Sequence, residues 1–89
     1  MRTIVITGAS SGIGAQAARH LARSHPEDRL ILIGRNPDRT KRVAAEVGAD
    51  YFFADYSRLA DVRRLAVKLR DTTDRIDVLA NNAGGLFNG

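Results

Sequence analysis

Four short apolar runs, each closed by a glycine, an aspartate or asparagines, alternate along this chain with longer stretches of helical period. That alternation restricts the fold more than any other feature. Ile4 to Thr7 runs into Gly8, Leu30 to Ile33 into Gly34, Tyr51 to Ala54 into Asp55, and Val78 to Ala80 into Asn81 and Asn82. Runs without polar alternation suit strands covered on both faces, as parallel strands are. Strand, helix, strand repetition is the pattern of a parallel sheet wound by crossover helices. Right-handed crossovers put the first three strands in the order 3-2-1, with the fourth on the far side of the first. The expected fold is α/β, an open, doubly wound parallel sheet of order 3-2-1-4.

The helices carry their own start and stop signals. The first is expected from about Gly12 to Arg23, with Gly14, Ala17, Ala18 and Leu21 facing the sheet and Gln16, Arg19, His20 and Arg23 opposite. Asn36 followed by Pro37 announces the second, and Gly48 stops it. Ser57 is the expected cap of the third, whose apolar face is Leu59, Val62, Leu65, Ala66 and Leu69. No linker or repeat divides residues 1–89, which read as one partial domain with no second one.

Composition excludes several function classes. Zero cysteines removes thiolate zinc sites and is compatible with a reducing cytoplasm, the expected location. The first apolar run is too short for an export signal, and charges interrupt every run before membrane-spanning length. The net charge of +4 raises nucleic-acid binding. The basic residues are interleaved with acids and lack aromatics spaced for base stacking, so they read as solvated helix faces. His20 and His25 have no Cys, His or acid cluster at metal spacing, and no metal is expected.

Chemistry is concentrated in Thr7-Gly8-Ala9-Ser10-Ser11-Gly12-Ile13-Gly14, between the first strand and the first helix. Backbone amides and a helix dipole there suit a pyrophosphate. Gly8 turns sharply out of the strand, Gly12 leaves the backbone bare for phosphate, and Gly14 lets the helix approach the sheet. With its spacing G-x-x-x-G-x-G, the loop resembles that of the short-chain dehydrogenase/reductase family, T-G-x-x-x-G-x-G. Asp55 after the third strand and Asn81-Asn82-Ala83-Gly84 after the fourth match two further motifs of that family. The resemblance covers the whole chain and implies a Rossmann-type fold.

It also implies roles. Ile13 would offer its amide to the pyrophosphate, and Ser10 and Ser11 of the same loop are expected among the cofactor-binding residues. Asp55 would accept from the adenine amino group, and Asn81, Asn82, Ala83 and Gly84 would line the ribose side, with Thr7 bracing their strand. Cofactor choice falls at the end of the second strand, where an NAD-binding member carries an acid and this chain has Gly34-Arg35-Asn36. Arg35, helped by Ser10, would bind a 2′-phosphate, so NADP(H) is expected ahead of NAD.

Family members use a tyrosine acid/base with a lysine four residues later, both in the second half of their fold. Tyr51 and Tyr56 are followed at that distance by Asp55 and Ala60, so no catalytic residue is assigned and the chain alone is expected not to turn over substrate. A thinly covered sheet face is expected to expose strand 1 and strand 4 side chains and to favour association. Two other readings stay open: a non-catalytic dinucleotide-binding or regulatory module, and a serine hydrolase with Ser10 as nucleophile, since Gly8 to Gly12 also reads G-x-S-x-G.

Overall fold

The computed structural model describes residues 1–55, 57–73 and 75–81. Strands β1 (Thr3–Thr7), β2 (Arg29–Gly34), β3 (Asp50–Phe53) and β4 (Val78–Asn81) alternate with helices α1 (Gly12–Ser24), α2 (Pro37–Val47) and α3 (Leu59–Thr72). All neighbouring strands are parallel and lie in the order β3-β2-β1-β4, as the alternation predicts.

The two central strands, β1 and β2, are buried on both faces, whereas β3, at the edge of the sheet, is not, and its Phe53 stays exposed. Ile4, Ile6, Leu30 and Leu32 point one way and pack with Ala15 and Ala18 of α1 and Val43 and Ala44 of α2. Val5, Ile31 and Ile33 point the other way, against Ala54 and Leu65. Each fully buried branched side chain contributes about 1.5–3 kcal/mol, so this sheet centre dominates a small fold. Val5 is fully buried, so the expected exposure of strand 1 does not occur; Leu65 and the half-buried Leu69 suffice to cover it. Only at β4 does a residue of the expected kind stay open, Val78.

Two helix details differ from expectation. Ala15 rather than Ala17 joins Gly14 and Ala18 as the buried face of α1, because the helix sits with its first turn directly on the glycine loop. Ser57 does not cap α3. The N-cap is Arg58, which makes no side-chain cap bond, and the Ser57 hydroxyl is bonded to Asp55 instead. By contrast α2 obeys its local signals: Asn36 accepts from the Arg39 amide, Pro37 opens the helix, and Gly48 closes it at φ 71°.

Register places the site. Thr7 lies opposite both Ile33 and Asn81, and Gly34 lies opposite Phe53. The chain therefore leaves the carboxyl ends of all four strands along one edge of the sheet, where ligands of open parallel sheets bind.

Candidate functional site

The glycine loop is held by its own backbone. Gly8 has φ 66°, a conformation that other residues reach only at a cost. Ala9, fully buried, donates its amide to Ile33 O at 3.0 Å and ties the loop to β2. The Ser11 amide closes the turn on Gly8 O at 3.0 Å. Its hydroxyl donates to the same oxygen at 2.7 Å and accepts from the Gly14 amide at 3.1 Å, so Ser11 is the α1 cap.

That cap satisfies Gly14 and leaves Gly12 and Ile13 as the first two helical residues, whose amides have no carbonyl partner within the helix. Both residues are exposed, at the positive end of the helix dipole. A methyl on Gly12 would meet nothing within 4 Å, so packing within the protein does not demand glycine there. The space beside bare amides fits a phosphate group. Gly14 is the opposite case: a methyl would run into Gly8 O and lie 2.7 Å from its carbonyl carbon.

Sequence reasoning reads Gly34 only as the end of a strand and does not reach its packing role. A methyl there would run into Thr40 Oγ1 and come within 3.2 Å of Ser10 Cβ. Glycine at the end of β2 thus lets the loop and α2 converge, with buried Thr40 donating to Asn36 O at 2.7 Å. The convergence forms a cleft of about 530 Å³ lined by Ser10, Ser11, Arg35, Asn36, Arg39 and Asp55. Asp55 is the one carboxylate on that lining among the described residues.

Arg39 was missed, because one arginine among many on a helix carries no signal in the sequence. The Asn36 cap fixes the turn that carries it, and its guanidinium has no partner among the described residues. Arg35 Nε stands 3.9 Å from Asp55 Oδ1. Asp55 accepts at Oδ1 from the Ser57 hydroxyl at 2.7 Å and the Ser57 amide at 3.0 Å. The hydroxyl first, then the amide, hold its carboxyl below the ordinary aspartate range, so it is an acceptor at neutral pH.

The remaining expected site residues lie on β4. Thr7 Oγ1 donates to Ala80 O at 3.4 Å, the bracing expected of it. Asn81 ends β4 opposite Thr7, while Asn82, Ala83 and Gly84 lie outside the described residues. Elsewhere the structure corrects the reading of the histidines, since His25, Glu27 and Asp28 gather within 4.8 Å of one another. The Asp28 carboxylate is already engaged by the Arg2 guanidinium at 2.9 and 3.1 Å and by the Arg2 amide at 3.0 Å. For Ser10, a rise of about 1.5 Å per residue puts His20 roughly 12 Å and His25 roughly 20 Å along α1 from Gly12. Neither reaches the loop as a base. No helix among the described residues is long and apolar enough to cross a membrane.

A parallel sheet of this order, with a glycine turn, open helix amides and an acid after β3 on one edge, defines a dinucleotide-binding α/β protein of Rossmann type. A family model described as short chain dehydrogenase matches residues 2–89, and the chain belongs to the short-chain dehydrogenase/reductase family as its N-terminal, dinucleotide-binding segment. It is 48% identical over 92 residues to DnrU of Streptomyces sp. (strain C5), named as a daunorubicin C-13 ketoreductase, covering 97% of this chain and 31% of that protein. The structure of the Pseudomonas aeruginosa RhlG/NADP active-site complex superposes with a TM-score of 0.81 at 30% identity, over 91% of this chain and 34% of that one. An alcohol dehydrogenase from Thermococcus sibiricus, complexed with 5-hydroxy-NADP, gives 0.72 at 32% identity, over 89% and 35%. The chain thus spans about a third of the length of these relatives.

Proposed function

We propose that this chain binds NADP(H) and forms the cofactor-holding front of a cytoplasmic oxidoreductase that, as a complete protein, transfers hydride between NADP(H) and a carbonyl or alcohol substrate. The observation that carries the reading is the pair of guanidinium groups, Arg35 and Arg39, in one cleft with Ser10, where β2 ends without a carboxylate. A 2′-phosphate on the adenosine ribose matches that charge, whereas bare ribose hydroxyls call for an acid. The similarity to the RhlG/NADP complex and to the alcohol dehydrogenase complexed with 5-hydroxy-NADP supports the same choice.

The other residues divide the dinucleotide between them. The Gly12 and Ile13 amides take the pyrophosphate, with Gly8, Ser11 and Gly14 holding the loop in shape. Asp55 accepts from the adenine amino group, and Asn81, Asn82, Ala83 and Gly84 line the ribose side. Bound NADP(H) supplies or accepts the hydride; this segment binds and orients it. The name of DnrU supports a ketone as the substrate class.

Removing one charge-assisted contact to phosphate costs about 1.5–3 kcal/mol, or about ten- to 150-fold in affinity. Arg35→Ala is therefore expected to narrow the preference for NADP⁺ over NAD⁺ by about tenfold or more, measured by calorimetric titration. Arg39→Ala should narrow it in the same direction. Unchanged relative affinities in Arg35→Ala would refute the assignment.

A further inference from the structure

Ser57 stands where a helix cap is expected and does something else. It is the residue before the α3 N-cap, yet α3 starts on Arg58 without a side-chain cap bond. The Ser57 hydroxyl and amide both donate to one oxygen of Asp55, Oδ1, at 2.7 and 3.0 Å. Asp55 is held from the other side as well. Its amide donates to Asp61 Oδ2 at 3.2 Å, and its carbonyl accepts from the Arg58 amide at 3.0 Å, closing the turn.

The consequence is an orientation. With Oδ1 doubly bonded to Ser57 and the torsion of the side chain thereby set, Oδ2 has no hydrogen-bond partner among the described residues. The charged groups around the carboxyl are Arg35, whose Nε is 3.9 Å from Oδ1, Arg58, and Asp61, which faces the Asp55 amide and pairs with Arg64 at 3.5 Å. Without Ser57, Arg35 would be the nearest charged donor left to Oδ1, and the carboxylate would be free to rotate toward it. A freely rotating carboxylate also loses more torsional freedom on binding.

We propose that Ser57 is a positioning residue for base recognition: it turns the Asp55 carboxylate so that one oxygen is fixed internally and the other is presented to the exocyclic amino group of the adenine. The proposal rests on the reading of Asp55 given above and extends it to a residue that does not touch the ligand.

The test compares NADP⁺ with nicotinamide hypoxanthine dinucleotide phosphate, in which an oxygen replaces the 6-amino group and meets the carboxylate as a second acceptor. The full chain and its Asp55→Asn, Ser57→Ala and Ser57→Thr variants are titrated with both by calorimetry, after circular dichroism has established that each is folded. The wild type should prefer the adenine form by about tenfold or more, the difference made by one hydrogen bond to a charged group. Ser57→Ala should lose most of that preference while affinity for the hypoxanthine form changes little, and Ser57→Thr, which keeps the hydroxyl, should retain it. The Asp55 carboxyl followed by carbon-detected NMR should titrate at higher pH in Ser57→Ala than in the wild type. If Ser57→Ala keeps the full preference while Asp55→Asn loses it, the role of Ser57 is overturned and that of Asp55 stands. If the wild type has no preference, or Asp55→Asn leaves it intact, the reading of Asp55 itself is wrong. Loss of the preference in Ser57→Thr as well as Ser57→Ala would also count against the hydroxyl.

Discussion

A single methyl group at Gly14 separates two views of the glycine loop. If Gly14 were an ordinary helical glycine, alanine would stabilise α1 by up to about 1 kcal/mol. The structure predicts the reverse. The added methyl would run into Gly8 O and stand 2.7 Å from Gly8 C and 2.9 Å from Ala9 Cα, all backbone atoms. Carbon pairs settle at about 3.5–4.0 Å, so α1 must withdraw by roughly 1 Å. The turn cannot follow, because the Ala9 amide is fixed to Ile33 O at 3.0 Å and the Ser11 amide to Gly8 O at 3.0 Å. Overpacking of this kind costs about 1–3 kcal/mol, and the gain in helix propensity offsets part of it. A net loss of up to about 2 kcal/mol lowers Tm by up to about 16 °C in a domain of this size. Thermal and urea unfolding followed by circular dichroism would measure it. Gly12→Ala is the internal control, since its methyl meets no atom within 4 Å: it should fold at least as stably as the wild type and bind NADP⁺ more weakly. A Gly14→Ala protein with Tm at or above the wild-type value would refute the reasoning.

Acid sensitivity should depend on Asp28, whose carboxyl is held below the ordinary aspartate range, first by the Arg2 amide and then by the Arg2 guanidinium. Because its folded-state pKa is lowered, the contribution is present above the ordinary aspartate value and is lost as pH falls through the lowered one. Asp28→Asn should therefore reduce the denaturant midpoint at neutral pH and flatten its decline in acid; parallel wild-type and variant profiles would contradict this. Gly48, at φ 71° in the C-cap of α2, should cost about 1–2 kcal/mol when replaced by alanine, although no atom lies near the new methyl. Urea unfolding measures that loss, and an unchanged midpoint would show that the strain is absent.

Much of the fold was legible in the residues because its signals act over a few positions. Pro37 and Gly48 bound α2 through local backbone sterics, and the unbroken apolar runs of β1 and β2 mark the strands buried on both faces, while the equally apolar run of β3 falls at the sheet edge and is not. Gly8, Gly12 and Gly14 were readable as a loop, yet the structure separates them: Gly8 by a positive φ, Gly14 by a backbone collision, and Gly12 by empty space. Ser57 was misread because a serine before a helix serves equally well as a cap or as a donor to a carboxylate two residues back. The position of Asp55 decides between them. The packing role of Gly34 and the place of Arg39 are not legible in the sequence because they lie in what meets them. Thr40 and Ser10 crowd the first, and the second turns into a cleft whose other walls come from β1, β2 and β3 ends.

The sequence by itself determined the order of elements, the strand that carries the glycine turn, and the absence of an acid in Gly34-Arg35-Asn36 at the end of β2. These follow from hydrophobic periodicity, capping and charge within short windows. Only the tertiary structure decided which of these residues share one cleft. Ser10, Arg39 and Asp55 meet because parallel register aligns Thr7 with Ile33 and Gly34 with Phe53. That alignment comes from burying both faces of the sheet at once, a condition no single segment can satisfy alone.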